Sequence, residues 1–76
     1  MPIIFDNFGH MVSTESEDEL HCFAKRMGLQ RDWFQAHDKH PHYDLTTSRA
    51  KVRAEVAGAV RVSPKELIEL AWWKKQ

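Results

Sequence analysis

Short runs of alternating or β-branched residues predict four strands. IIFD at residues 3–6 and HMVS at residues 10–13 are rich in β-formers and flank turn-forming residues, which predicts a β-hairpin. In HYDL, residues 42–45, apolar and polar side chains alternate, so this strand would have one apolar and one polar face. AVRV, residues 59–62, alternates and is β-branched, which predicts the fourth strand.

A longer amphipathic run predicts a helix after the hairpin. Ser16 followed by Glu19 fits a capping box, so the helix begins near residue 17, and it ends at Gly28. Four apolar residues share one stripe of this helix: Leu20, Phe23, Ala24 and Met27.

Capping residues predict two more helices. The run SRAKVRAEVAG follows Thr46 or Thr47, either of which is a suitable N-cap, and Gly58 would end it. SPKE, residues 63–66, supplies a serine cap, a proline at the first helical position and a glutamate three residues after the cap. We expect this last helix to turn four apolar residues inward and to place two lysines at its negative end: Leu67, Ile68, Leu70, Ala71, Lys74 and Lys75.

The order β-β-α-β-α-β-α predicts an α/β (α+β) fold, in which a small mixed sheet of about four short strands is covered by three helices. The segment before Pro41 has no sustained period, and we expect Trp33 and Phe34 to plug the core from a loop. A chain of 76 residues has room for one domain, which we place at residues 1–76.

Composition narrows the classes of function. Eleven basic and eleven acidic residues cancel, so the chain lacks the global charge that draws basic domains to nucleic acid or anionic membranes. Cys22 is the only cysteine, which excludes an intramolecular disulfide and suits a reducing compartment. The N-terminus lacks the pattern of a secretory signal, and no apolar run is long enough to span a bilayer, so we expect a soluble cytoplasmic protein without membrane contact.

The segment AHDKHPHYDL, residues 36–45, is the densest collection of groups that bind metals or move protons. An extended chain sends His40, His42 and Asp44 to one side, at i, i+2 and i+4. His10 opens the second strand and would meet His42 if the two strands are neighbours. These side chains therefore form a candidate catalytic or divalent-metal site of His10, His42 and Asp44, although the spacing matches no established zinc motif.

Two other features suggest binding. Arg49 and Lys51 give the second predicted helix a basic start that would contact phosphate, while the alternative is a solvated surface. Trp72 and Trp73 are adjacent near the C-terminus and would suit a partner surface or a homodimer if at least one is exposed. The alternative is that the helix end lies flat on the sheet and buries both indoles.

Three stretches together resemble a small family of bacterial and phage proteins known as domain of unknown function 4031: DELHCFAKRMGLQRDWFQ, PHYDLTTSRAKVRAEVAGAV and VSPKEL. With Asp6 after the first strand and the histidine of GHM, the resemblance covers nearly the whole chain. It singles out nine residues: Asp6, His10, Trp33, Phe34, His42, Tyr43, Asp44, Gly58 and Ser63. The resemblance implies an architecture and candidate residues, but no reaction. A phage or prophage accessory role is implied only by the bacterial and phage proteins that make up the family.

Three functions follow as hypotheses. The first is a binding module for a phosphate-bearing ligand, a nucleotide or nucleic acid, with Asp6, Tyr43, Arg49 and Lys51 contacting the ligand beside the histidines. The second is a small metal-dependent hydrolase that uses His42 as base or metal ligand, with Asp44 orienting His42 or binding the metal and His10 as a second ligand or acid. The third is a protein-interaction module that binds a host protein through Trp72 and Trp73.

Overall fold

The computed structural model describes residues 3–75, and within them the chain forms five β-strands and three α-helices. The strands are β1 (Ile3–Phe5), β2 (His10–Ser13), β3 (Phe34–Gln35), β4 (His42–Asp44) and β5 (Val60–Arg61). The helices are α1 (Glu17–Met27), α2 (Ser48–Ala57) and α3 (Pro64–Leu70). The predicted α/β class is confirmed, with one strand more than expected.

The strands form one mixed sheet in the order β3-β4-β2-β1-β5. β1 and β2 pair antiparallel through a tight turn, as expected for the hairpin, and β4 pairs antiparallel with β2. β5 lies parallel to β1 at the other edge. The register between β2 and β4 sets His10 opposite Asp44, so the two segments predicted to carry chemistry are neighbours.

The two faces of the sheet have different coverings. Because side chains alternate along a strand, Met11 and Tyr43 point to one face, while His10, Val12 and His42 point to the other. α1 packs on the first face, where Nδ1 of His21 lies 2.7 Å from the hydroxyl oxygen of Tyr43. α3 covers part of the second face and leaves the histidines of that face at the border of a pocket.

The predicted helix boundaries are largely confirmed. Ser16 accepts a hydrogen bond from the backbone of Glu19 at the start of α1, and Gly28 ends the helix in the left-handed conformation with φ of 88°. Thr47, the second of the two expected residues, caps α2. Ser63 and Glu66 form the complete capping box at the start of α3.

The end of α3 differs from the prediction. The helix stops at Leu70, and Ala71 is extended, with φ of −62° and ψ of 147°, before a 3-10 turn at Trp72–Lys74. Leu67 and Ala71 are buried, whereas Ile68 and Leu70 are exposed, because a short helix turns only one narrow side to the sheet. The expectation that Lys74 and Lys75 lie at the negative end of this helix is therefore wrong.

Segment 30–41 contains more regular structure than expected. Arg31–Trp33 forms a 3-10 turn, and the next two residues form β3 against β4. Phe34 is half-buried against His21 and Tyr43, whereas Trp33 is 49% exposed. Only one of the two expected aromatic plugs therefore reaches the core.

Within residues 3–75, no helix combines the length and the apolar character needed to cross a bilayer.

Candidate metal centre

Three side chains from β2 and β4 converge on one point. His10, His42 and Asp44 each offer a ligand atom within 4.8 Å of the other two, and we call these residues the His/Asp cluster. The rings of His10 and His42 meet edge to face with centroids 4.9 Å apart. In a tetrahedral site with metal–ligand distances of about 2.1 Å, the ligand atoms lie roughly 3.4 Å apart, so side-chain movements on the order of 1 Å complete the geometry.

Each of the two ring nitrogens of His42 faces an oxygen atom that can accept a hydrogen bond. Its Nδ1 faces the backbone carbonyl oxygen of His40, which only accepts, so Nδ1 carries the proton. Its Nε2 lies 2.9 Å from Oδ1 of Asp44, which is a second acceptor. An imidazole that carries its proton on Nδ1 has a lone pair on Nε2, so a metal ion between Nε2 and the carboxylate would satisfy both groups.

Asp6 supports His10 from beneath. Its carboxylate is 2% exposed and accepts three hydrogen bonds, from the backbone N–H groups of Phe8 and His10 and from Nδ1 of the His10 ring. A histidine that donates Nδ1–H to a carboxylate presents Nε2 as a free lone pair. Metal-binding histidines in proteins show this same second contact, which fixes the ring orientation and raises its basicity.

The turn between β1 and β2 makes this contact possible. Gly9 donates its N–H to the backbone oxygen of Asp6 and has φ of 93°, a conformation that favours glycine. Its carbonyl oxygen accepts from the N–H of Leu45, directly after β4. This turn therefore fixes Asp6 and His10 against the strand that carries the other two ligands.

A pocket of about 310 Å³ opens beside the His/Asp cluster, and we call it the cluster pocket. Asp6, His10 and His42 reach its surface, and apolar side chains form most of the rest: Phe8, Val12, Pro64, Leu67, Ile68 and Trp73. His37 and His40 stand at its rim on the exposed loop before β4. The site thus sets three candidate metal ligands, of which His10 and His42 reach the pocket, beside a concave surface large enough for a small ligand.

The ligand-binding residues expected from the sequence do not all meet here. Nζ of Lys51 donates to the backbone oxygen of Asn7 at 2.7 Å, Arg49 is exposed, and neither lines the cluster pocket. Tyr43 is buried on the opposite face because it alternates with His42 and Asp44. Of the four expected ligand contacts, Asp6 alone adjoins the cluster.

Tyr43 belongs instead to a separate network with α1. His21 Nε2 lies 3.1 Å from a carboxylate oxygen of Glu17, so that nitrogen donates and Nδ1 accepts from the Tyr43 hydroxyl. Burial raises the pKa of the Tyr43 hydroxyl, the charge of Arg31 partly offsets this increase, and the charge of Glu17 adds to it. The network attaches α1 to β4 across the core.

The tryptophan pair is placed mainly inside the molecule. Trp72 is 7% exposed, and Trp73 is half-buried, with Nε1 donating to the backbone oxygen of Pro41. The alternative in which both indoles are buried therefore holds for Trp72 and only in part for Trp73, which forms a wall of the cluster pocket. An interface at these residues stays a prediction.

Several pocket residues were not expected from the sequence. Phe8 is one of them. The sequence feature that could have identified it is an aromatic side chain in a turn between Asn7 and Gly9, where a core residue is unusual. His37 and His40 reach the pocket rim, although the candidate site predicted from the sequence consists of His10, His42 and Asp44. His40 does not join the cluster; it supplies the carbonyl oxygen that orients His42, and its ring packs on Trp73.

A family model described as "Protein of unknown function (DUF4031)" matches residues 1–73. Searches of curated proteins and of solved structures give no match.

Proposed function

The chain belongs to the DUF4031 family of proteins of unknown function. We propose that this member is a metal-dependent hydrolase and that its His/Asp cluster binds the divalent transition metal. The observation that supports this proposal is the convergence of two imidazoles and one carboxylate within 4.8 Å. Three protein ligands leave at least one coordination position for water or substrate, which is typical of catalytic rather than structural zinc sites.

The surrounding residues suit such a site. Nδ1 of each histidine is already engaged, by Asp6 for His10 and by a backbone carbonyl for His42, so Nε2 of each ring would be the nitrogen that holds the ion. Imidazole and carboxylate together favour Zn²⁺, Fe²⁺, Co²⁺ or Mn²⁺ over Mg²⁺ and Ca²⁺, which prefer all-oxygen ligands. When bound, the ion would polarise a substrate oxygen and acidify a water molecule.

We favour hydrolysis over the two other functions expected from the sequence. A phosphate-binding module would need Arg49 and Lys51 at the site, and neither lines the cluster pocket. A host-protein interface would need an exposed indole, whereas Trp72 is buried and Trp73 is half-buried with its Nε1 donating to the backbone oxygen of Pro41. The cytoplasmic location and the bacterial or phage origin expected from the sequence stay parts of the proposal.

Metal titration by calorimetry tests the proposal directly. We expect one ion per chain, with Zn²⁺ binding more tightly than Mg²⁺. His10→Ala and His42→Ala should each weaken Zn²⁺ binding by at least tenfold, and Asp6→Asn should weaken it by roughly 10- to 100-fold, because the carboxylate orients His10. His37→Ala is the matched control, since His37 stands at the pocket rim outside the cluster.

Activity is the second measurement. The metal-loaded protein should hydrolyse 4-nitrophenyl acetate, and the His42→Ala variant should lose that hydrolysis while retaining the native circular dichroism spectrum. A wild-type protein that binds no transition metal would disprove the site. A protein that binds the metal and hydrolyses no ester, amide or phosphoester would leave a metal-binding module and overturn the enzyme.

A further inference from the structure

The walls of the cluster pocket carry information about the substrate. Beyond His10, His42, Asp6 and the rim histidines, six apolar side chains form its surface, and among residues 3–75 no lysine or arginine lines it. Its volume of about 310 Å³ lies at the lower end of the range for ligand pockets. The pocket therefore accepts a small group and offers that group mainly van der Waals contact.

The charges around the cluster also favour an uncharged substrate. A divalent ion at the cluster would lie beside two carboxylates, the ligand Asp44 and the buried Asp6 under His10. Two carboxylates in their ionised form would balance the charge of such an ion. A phosphate monoester would bring further negative charge into a site without a fixed cation in its wall, whereas an uncharged ester or amide would not.

Phe8 adds a position for the apolar group. Its side chain is 69% exposed although it lines the cluster pocket, and its ring centroid lies 6.5 Å from that of His10. The Trp73 indole belongs to the same pocket, fixed by its hydrogen bond to Pro41. A substrate group seated between these aromatic rings would remove the exposed face of Phe8 from water.

We infer that the cluster pocket takes an uncharged ester or amide with an aryl or short alkyl group, held by Phe8 and Trp73 while its carbonyl faces the His/Asp cluster. This inference rests on the proposed metal-dependent hydrolysis. In the reaction, the hydroxyl of water joins the acyl carbon and the bond from that carbon to the leaving oxygen or nitrogen breaks. The leaving group takes the remaining proton, so no oxidant or reductant is needed.

Three hydroxamates with the same metal-binding group separate the contribution of the pocket from that of the ion. Their tails are methyl, phenyl and 4-phosphonophenyl, and binding to the zinc-loaded protein is measured by calorimetry. We expect the phenyl compound to bind at least tenfold more tightly than the methyl compound, because its ring is buried in the pocket. The phosphonophenyl compound should bind at least threefold more weakly than the phenyl compound.

Matched variants locate the effect. Phe8→Ala should reduce the phenyl-to-methyl affinity ratio by at least threefold without changing the affinity for Zn²⁺. Val56→Ala, which trims an apolar side chain that is 83% exposed on α2 outside the pocket, should leave the ratio unchanged.

The outcomes distinguish this inference from the proposed function. Equal affinities for the methyl and phenyl compounds would overturn the apolar pocket and leave the metal site standing. Tightest binding of the phosphonophenyl compound would overturn the uncharged substrate and support a phosphate-bearing one. A chain that binds no metal would overturn the inference together with the proposed function.

Discussion

Tyr43 and His42 are adjacent in sequence but act on opposite faces of the sheet. The hydroxyl of Tyr43 donates to His21 in the core under α1, while His42 faces the cluster pocket. Alternation along β4 is the cause, because successive side chains of a strand point to opposite sides. One strand of three residues thereby joins the core to the candidate site.

The raised pKa of Tyr43 predicts a loss of stability in alkali. Above pH 10.0, the ordinary pKa of tyrosine, the unfolded chain releases the phenolic proton and the folded chain retains it. The free energy of unfolding should therefore fall as the pH rises above 10, by up to about 1.4 kcal/mol per pH unit until the folded hydroxyl also ionises.

Denaturant unfolding between pH 8 and pH 11 measures this dependence, with Tyr43→Phe as the control. The variant should be about 1 kcal/mol less stable at neutral pH, because the hydrogen bond to His21 is lost, and it should show a flatter alkaline profile. Tyr43 is the only tyrosine, so ultraviolet absorbance follows its ionisation directly. Identical profiles for the two proteins would contradict the prediction.

At the candidate site, sequence reasoning was accurate where the interaction is local. Alternation alone predicts that His42 and Asp44 share a side of β4. The position of His10 opposite Asp44 depends on the register between two strands about thirty residues apart, which no local pattern specifies. Trp73 lines the pocket from the 3-10 turn that follows the extended Ala71, and no proline or glycine in the sequence marks that break in the helix.

Among the elements, the turn between β1 and β2 leaves no room for a side chain at Gly9. A Cβ added at Gly9 would lie 2.3 Å from the backbone oxygen of Leu45, and the positive φ of Gly9 is already unfavourable for other residues. No side-chain rotation can relieve this clash, because the oxygen of Leu45 belongs to the backbone. The turn, β4 and the site are thus held in one arrangement.

Gly9→Ala should destabilise the domain by roughly 2 to 5 kcal/mol, through backbone strain and overpacking together. Thermal unfolding of the metal-free protein measures the loss. Gly28→Ala is a useful comparison, since a Cβ there would meet only the end of the Arg53 side chain at 3.3 Å. A larger loss at Gly28 than at Gly9 would contradict the assigned role of the turn.

The starts of the helices and the glycine-terminated ends of α1 and α2 were predictable because their signals are short and chemical. The serine caps of α1 and α3 and the glycine that ends α1 act on backbone groups within four residues. β3 was missed because its two residues pair with β4, and a pair of residues has no detectable period. The end of α3 was placed too late because no glycine or proline follows Leu70 to mark it.

Taken whole, the molecule has little stability to spare. A domain of this size buries only about 60% of the surface of its unfolded chain, so a bound ion would add a large share of the total stability. The proposed ligands join β2 to β4 at the centre of the sheet, where a crosslink resists unfolding of the entire domain.

Zinc at a hundredfold excess over its dissociation constant should raise the free energy of unfolding by about 2.7 kcal/mol. For a domain of this length, that corresponds to an increase in Tm of roughly 10 to 20 °C, measured by differential scanning fluorimetry. A chelator should reverse the increase, and His42→Ala should abolish most of it. An equal increase in the variant would show that the ion binds elsewhere.

The outermost strands of the sheet, β3 and β5, are each two residues long. An exposed strand edge offers unpaired N–H and C=O groups on which another chain can add a strand, and this is a common start of aggregation. Edges this short supply too few such groups to hold an added strand in register. The domain should therefore resist strand-by-strand self-assembly even at concentrations where a longer exposed edge would precipitate.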